Sequence, residues 1–338
     1  MTTKQNIIPI FYSTDDNYAP WLAASLKSLV DNTSKQNKYI VHILNRGLKK
    51  ESIDNLSSLV SNNIKIKFVD VSEKIKPFLA NLAPVYYFSV QMYFRIFIAS
   101  MFPEFDKVVY LDCDTIVLSD IAELFNTDLK GNILGAAVDQ IVSRTKPFHN
   151  YVRYAGCVEH TRYFNSGVLV IDAKQFREEE IEKKFLDILV KHNFDLVAPD
   201  QDYLNFLCKD KVFYLSNFWN KMPINDGQTG TIHLVHYNFF RKPWKDSYVK
   251  YRKFFWDYIK KTPYYEYAVE YSKGFTILDR QNVRKALKQI VAHANEIVAS
   301  KHNFYQVFEA SKEEVVEQIQ FSNSAAVVCD NAMFGAKA

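Results

Sequence analysis

The stretch Lys107-Val-Val-Tyr-Leu-Asp112-Cys-Asp114-Thr-Ile-Val-Leu118 constrains this chain more than any other. Val108, Val109, Tyr110 and Leu111 form a continuous apolar run, the pattern of a strand covered on both faces as in a parallel sheet. Asp112 and Asp114 follow where that strand is expected to end. In open α/β sheets the ligand crevice lies beyond the carboxyl ends of the strands. Two residues apart in extended chain, both carboxylates point to the same side. Close carboxylates repel each other, and a hard divalent cation relieves the repulsion. Two readings stay open at this point: an anchor for a metal and a phosphate, or a strand end whose aspartates are solvated at a turn. Asp-x-Asp is short and common, so the surrounding chain has to decide.

With 338 residues the chain can form one large α/β domain with an appendage, or two domains. Its net charge of +4, from 42 basic and 38 acidic residues, is too small to argue for nucleic acid and is compatible with an anionic substrate or weak contact with an anionic surface. Cys113, Cys157, Cys208 and Cys329 are scattered without a CxxC pair, which argues against a disulfide framework or structural zinc and for a reducing compartment. The first residues lack the apolar core of a signal peptide, and no apolar run is long enough to span a bilayer. The expected location is cytoplasmic.

The period of the apolar residues predicts strands at Ile7–Tyr12, Tyr39–Leu44 and Ile64–Val69. Helices lie between them, the first with Pro20 in its opening turn and Leu22, Leu26, Leu29 and Val30 on one face. This βαβαβ rhythm predicts a mainly parallel sheet flanked by helices. A helix over Ser89–Ser100 carries Arg95, and a strand over Ile133–Val138 ends at Asp139. Gln140–Phe164 shows no clear period and reads as a long loop over the site. Further strands are expected over Val168–Ile171 and Thr231–His236, and a helix starts at Pro199-Asp200-Gln201-Asp202. The alternation stops near Lys260. We therefore expect a catalytic domain over residues 1–260, a helical extension over 261–319 and a frayed, disordered tail over 320–338.

Several segments resemble glycosyltransferase family 8, the retaining nucleotide-sugar transferases with a GT-A fold. They are Phe11-Tyr-Ser-Thr-Asp-Asp-Asn-Tyr18, Tyr93-Phe-Arg95, Val109-Tyr-Leu-Asp-Cys-Asp114, Gly135-Ala-Ala-Val-Asp139, Phe164-Asn-Ser-Gly-Val168, Pro199-Asp-Gln-Asp202 and His236 through Lys242-Pro-Trp244. Each is weak alone; together they keep one order over residues 7 to 260. Within the family the chain is most similar to bacterial galactosyl- and glucosyltransferases of lipopolysaccharide and other surface glycans.

The resemblance implies a Rossmann-like GT-A domain that moves a hexose from UDP-galactose or UDP-glucose to a glycan acceptor. Its metal ligands fall on Asp112, Asp114 and His236, and carboxylates with one imidazole suit Mn²⁺ better than Mg²⁺, which is the alternative ion. Ser13, Thr14, Asp15 and Asn17 match the uracil and ribose contacts, although Asp15 and Asn17 could equally cap the first helix. Arg95, Asn165, Asp200 and Gln201 match donor-sugar contacts, with Asp200 and Gln201 nearest the reacting carbon. Asp139 matches a donor or acceptor contact, and Lys242 a diphosphate contact. Cys113 falls within the same nucleotide-sugar set and brings no chemistry of its own. Trp244 is expected to pack as core. The family's glycine between His and Lys is missing from Tyr237-Asn-Phe-Phe-Arg241, where Asn238 is the residue that best tolerates unusual φ.

Two rival readings remain beside this one. Asp112-Cys-Asp114-Thr115 also fits a haloacid-dehalogenase-like phosphatase with Asp112 as nucleophile, but that motif belongs on a first strand. The other rival is a non-catalytic UDP-sugar-binding module. The apolar stripe Val283, Leu287, Ile290, Val291 and Ile297, interspersed with Arg280, Arg284, Lys285 and Lys288, is expected to dock on the catalytic domain. Its alternative is peripheral contact with the inner face of a membrane.

Overall fold

The computed structural model describes residues 7–82 and 89–310. The proposed tail over 320–338 lies outside the described residues. The strands are β1 (Ile7–Ser13), β2 (Lys38–Asn45), β3 (Ile64–Asp70), β4 (Lys107–Leu111), β5 (Thr115–Val117), β6 (Leu134–Val138), β7 (Phe164–Asp172), β8 (Val212–Tyr214) and β9 (Leu234–His236). Seven of them form one sheet in the order β3-β2-β1-β4-β7-β6-β8. β3, β2, β1 and β4 run parallel, β7 is antiparallel to both neighbours, and β8 is parallel to β6. The result is the mainly parallel, helix-flanked sheet that the apolar periods predict.

β4 shows why its sequence is apolar throughout. Val108 and Tyr110 enter one hydrophobic cluster, while Val109 and Leu111 enter another on the opposite face. The second cluster is closed by the Ala19–Asn32 helix, which contributes Leu22, Leu26 and Leu29. The first is closed by the helices Phe94–Met101, Ile181–His192 and Pro199–Cys208.

Several elements escaped the sequence reading, among them β5 and the helices Ile121–Phe125 and Arg252–Ile259. The segment 140–164 is not an irregular loop: it contains the ten-residue helix Lys146–Ala155, with Pro147 in its first turn and Phe148, Tyr151, Val152 and Ala155 buried. That spacing is helical, but it is diluted by the polar residues of the flanking turns. β8 is only three residues long, too short for a period to show. The strand expected over Thr231–His236 is confined to Leu234–His236.

The helix Ile277–Ala299 begins with a capping box between Thr276 and Asp279. It packs on the Lys146–Ala155 helix, and its Leu287, Ile290, Val291, Ala294, Ile297 and Val298 join the first cluster, as does Phe304 beyond it. The apolar stripe thus packs into the same core as one face of the main sheet.

His42 on β2 is buried in an aromatic nest. It stacks on Phe11 at 4.6 Å between ring centroids and meets Phe102 and Phe105 at 4.9 and 5.6 Å. Burial, with the charge of Lys67 adding, lowers its pKa to about 4. The unfolded chain therefore takes up a proton near pH 6.5 that the folded chain refuses until about pH 4. Stability is fully present above pH 6.5 and falls as pH drops through this window. His42→Phe, which keeps the stacking, is expected to flatten that decline between pH 6.5 and 4 in urea titrations and to leave stability at pH 8 nearly unchanged. An unaltered acid slope would refute this reading.

Candidate active site

β4 stops at Leu111, and the chain then leaves the main sheet. β5 pairs instead with β9, antiparallel, and this register sets Thr115 opposite His236. The backbone N–H of Tyr237 donates to the Asp114 carbonyl at 2.9 Å, and that of Asp112 to the Gly167 carbonyl at 2.8 Å. The Asp112–Asp114 turn is therefore held between the two sheets, and an imidazole distant in sequence arrives beside it. Nε2 of His236 lies 3.2 Å from Asp114 Oδ1 and 3.6 Å from Asp112 Oδ2. Among the described residues these three form the one group of His, Cys, Asp and Glu side chains close enough to share a metal ion.

Gly167 makes this approach feasible. A Cβ there would lie 2.5 Å from Asp112 Oδ2 and 2.9 Å from His236 Nε2, and closer still to His236 Cε1. The space that a side chain would fill belongs to the acid–imidazole cluster. Two carboxylates and one imidazole around a tight hollow fit a divalent cation.

A cavity of about 1030 Å³ opens at this point. It is lined by every residue singled out from the sequence: Ser13, Thr14, Asp15 and Asn17 at the end of β1; Arg95; Asp112, Cys113 and Asp114; Asp139 and Asn165; Asp200 and Gln201; His236 and Lys242. Asp15 Oδ1 accepts the N–H of Tyr18 at 2.9 Å and so holds the turn ahead of the first helix; the N-cap of that helix is Tyr18, without a side-chain cap, so the capping readings of Asp15 and Asn17 are not met. Cys113 is buried and its thiol donates to the Ser13 carbonyl, tying β1 to the Asp112–Asp114 turn. Trp244 packs flat on Trp21 at 4.4 Å as core.

Arg95 is buried and braced on all sides. Nη2 donates to Asp112 Oδ1 at 2.9 Å, Nε contacts the Met92 carbonyl at 2.9 Å and Asp200 Oδ2 at 3.1 Å, and Nη1 bonds to Ser166. Asp112 and Asp200 outweigh burial and raise its pKa. Burial pushes the Asp200 carboxyl up to about 6 against the pull of Arg95. For Asp114, burial is outweighed by Lys242 and His236, which hold the carboxyl well below its usual range. Lys242 Nζ bonds to Asp114 Oδ2 and donates to the Tyr237 carbonyl at 2.7 Å. The left-handed turn ahead of Lys242 falls on Phe239, with φ 61°, and not on Asn238. A bulky residue holds the conformation that glycine favours.

The far end of the cavity is a network of amides and carboxylates. Gln201 Oε1 accepts from Asn165 Nδ2 and from the Ser166 N–H, each at 3.0 Å, and Gln201 Nε2 donates to Asp139 Oδ2 at 3.3 Å. Asp202, next in sequence, faces away from the cavity. It accepts the hydroxyls of Tyr151 and Tyr163 at 2.6 and 2.7 Å, and burial raises its pKa to about 7. Sequence reasoning missed Asn220, which bonds to both Asn165 and His236. Asn217-Phe-Trp-Asn220 carries no motif that would have marked it.

Fold and site define a class: a Rossmann-like α/β protein with a cleft at the carboxyl end of β1 and β4, an acid–imidazole cluster at one end and a network of amides and carboxylates at the other. Residues 9–247 match the model of glycosyl transferase family 8, and the chain belongs to that family. It is similar to a putative glycosyltransferase of Haemophilus influenzae, 33% identical over 63% of this chain and 63% of that protein. It is also similar to a lipopolysaccharide 1,2-glucosyltransferase of Escherichia coli, 29% identical over 70% of this chain and 73% of that protein. The crystal structure of the galactosyltransferase LgtC with donor and acceptor sugar analogues superposes with a TM-score of 0.63 at 26% identity. It covers 76% of this chain and 96% of that one. The chain is thus a glycosyltransferase of GT-A fold, and the phosphatase and binding-module readings are not favoured. No helix among the described residues is long and apolar enough to cross a membrane.

Proposed function

We propose that this enzyme transfers galactose or glucose from its UDP conjugate to a glycan acceptor, a lipopolysaccharide or other surface glycan, with retention of the α configuration. The observation that carries the reading is the two-ended cavity. Asp112, Asp114, His236 and Lys242 gather charge suited to a diphosphate, and Asp139, Asn165 and Gln201 present paired donors and acceptors suited to sugar hydroxyls. Mn²⁺ or Mg²⁺ held by Asp112, Asp114 and His236 would supply Lewis-acid stabilisation of the leaving diphosphate. Ser13, Thr14, Asp15 and Asn17 bind the uracil and ribose at the end of β1, the position this fold class uses for a nucleotide. Arg95, with its guanidinium committed to Asp112, Asp200 and Ser166, braces both ends of the site. We place the reaction in the cytoplasm.

Retention can follow two routes. Double displacement needs a carboxylate free to attack the anomeric carbon. Asp200 is 5% exposed, tied to Arg95 and Ser166, and pushed toward its neutral form. Gln201 is an amide, a poor nucleophile. We therefore favour attack by the acceptor hydroxyl from the face that the diphosphate leaves. The hydroxyl proton passes to the departing phosphate oxygen, whose charge Lys242 balances. The Gln201 carbonyl, held by Asn165 and Ser166, steadies the positive anomeric carbon.

Gln201→Ala is expected to lower turnover by roughly a hundredfold or more with UDP affinity little changed, because the amide acts where charge develops in the transition state. A stable glycosyl adduct on Asp200 in intact-mass spectra would replace front-face attack with double displacement. The reading as a whole is tested by a screen of UDP-sugars with Mn²⁺ that follows donor hydrolysis and the anomer released. Release of an α-hexose from UDP-galactose or UDP-glucose is expected; a β anomer refutes retention, and inertness toward every UDP-hexose refutes the assignment.

A further inference from the structure

Asn220 is fully buried just after the short helical turn Asn217–Trp219, and the Gln140 amide donates to its backbone carbonyl at 2.7 Å. Its side chain bridges the two ends of the cavity: Nδ2 lies 3.0 Å from Asn165 Oδ1, and Oδ1 lies 2.9 Å from His236 Nδ1. The polarity of this chain follows from groups that have no choice. The Gly167 backbone N–H can only donate, and it points at Asn165 Oδ1 at 3.0 Å. Asp139 accepts the N–H groups of Ile141 and Val142 on Oδ1 and faces the Asn165 amide with Oδ2 at 3.1 Å. Both contacts require the Asn165 oxygen toward Gly167 and its NH₂ toward Asp139. That oxygen then needs a donor from Asn220, so Asn220 presents NH₂ to it and oxygen to His236. An amide oxygen only accepts, so the hydrogen sits on His236 Nδ1.

We infer that Asn220 is a positioning residue that keeps a hydrogen on His236 Nδ1 and so leaves Nε2, which faces Asp112 and Asp114, as the ring nitrogen available to a metal. This rests on the reading of those three side chains as a metal site. An amide is needed at 220 because it must donate to Asn165 and accept from His236 at once; aspartate accepts only, and leucine does neither. Outer partners of this kind orient a ligating imidazole, and their loss typically weakens metal binding about 10–100-fold.

The test combines Mn²⁺ titration by electron paramagnetic resonance, without nucleotide, with ¹⁵N-histidine NMR of the metal-free protein. The wild type is expected to show His236 protonated on Nδ1. Asn220→Leu is expected to weaken Mn²⁺ binding about 10–100-fold and to mix the two ring forms. Asn220→Asp keeps the acceptor for His236 and should hold Mn²⁺ affinity within about threefold of wild type, while losing the donor to Asn165 and slowing donor hydrolysis. Wild-type affinity in Asn220→Leu, or loss of Mn²⁺ in Asn220→Asp as deep as in Asn220→Leu, would overturn the inference, as would a wild-type His236 protonated on Nε2 alone. If Asn220→Leu does not fold, the aspartate variant and the wild-type spectrum decide. A wild type that binds no Mn²⁺ sinks the metal reading, and the nitrogen spectrum still judges the role of Asn220.

Discussion

Asp114→Asn is expected to lower hexose transfer by at least about a thousandfold and to abolish metal-dependent UDP binding, since one variant removes a ligand charge and the site's grip on the diphosphate. The substitution keeps volume and one acceptor oxygen but removes the charge that Lys242 and His236 share. It leaves the buried Lys242 without its carboxylate partner, so the fold should survive with a lowered Tm. Circular dichroism, Mn²⁺ titration and UDP binding with and without metal check each part. An active Asp114→Asn protein, or full wild-type activity in excess chelator, would remove the metal from the mechanism.

A chain cut after Lys260 is expected to be poorly soluble and largely unfolded. The cut removes Leu287, Ile290, Val291, Ile297, Val298 and Phe304 from the first hydrophobic cluster and exposes the Lys146–Ala155 helix they cover. At about 1.5–3 kcal/mol for each large buried side chain, the loss is roughly 10 kcal/mol or more, as large as a typical domain's net stability. Tyr267, Tyr271 and Asn282 would also leave the cavity wall. Soluble expression and urea unfolding of the cut chain measure the effect. A cut chain that stays folded and loses only its binding to anionic vesicles would refute docking and support membrane contact.

Most of the main sheet was legible because its inner strands are buried on both faces with unbroken apolar runs, as in β1 and β4, and because the edge strand β3 alternates; β8 at the other edge was too short to show. The position of Asp112 and Asp114 beyond β4 was legible for the same reason: a run of apolar residues must end where the chain meets solvent or ligand. The C-terminal stripe declared a buried face but could not declare its partner. That partner is the Lys146–Ala155 helix, which lay hidden because its buried positions sit among polar turns.

By itself the sequence determined the alternation of strand and helix, the carboxylate pair at a strand end and the ordered set of polar positions that resembles one family. These are local properties, set by side-chain period and by residue chemistry within a few positions. Only the tertiary structure decided that β5 leaves the main sheet to pair with β9, bringing His236 across 122 positions of chain to the aspartates. Only it showed that Arg95 braces Asp112 against Asp200, that Gly167 leaves the hollow between the aspartates and His236, and that Asn220 joins His236 to Asn165. Such contacts depend on which segments pack together, and hydrogen-bond partners far apart in sequence leave no period behind.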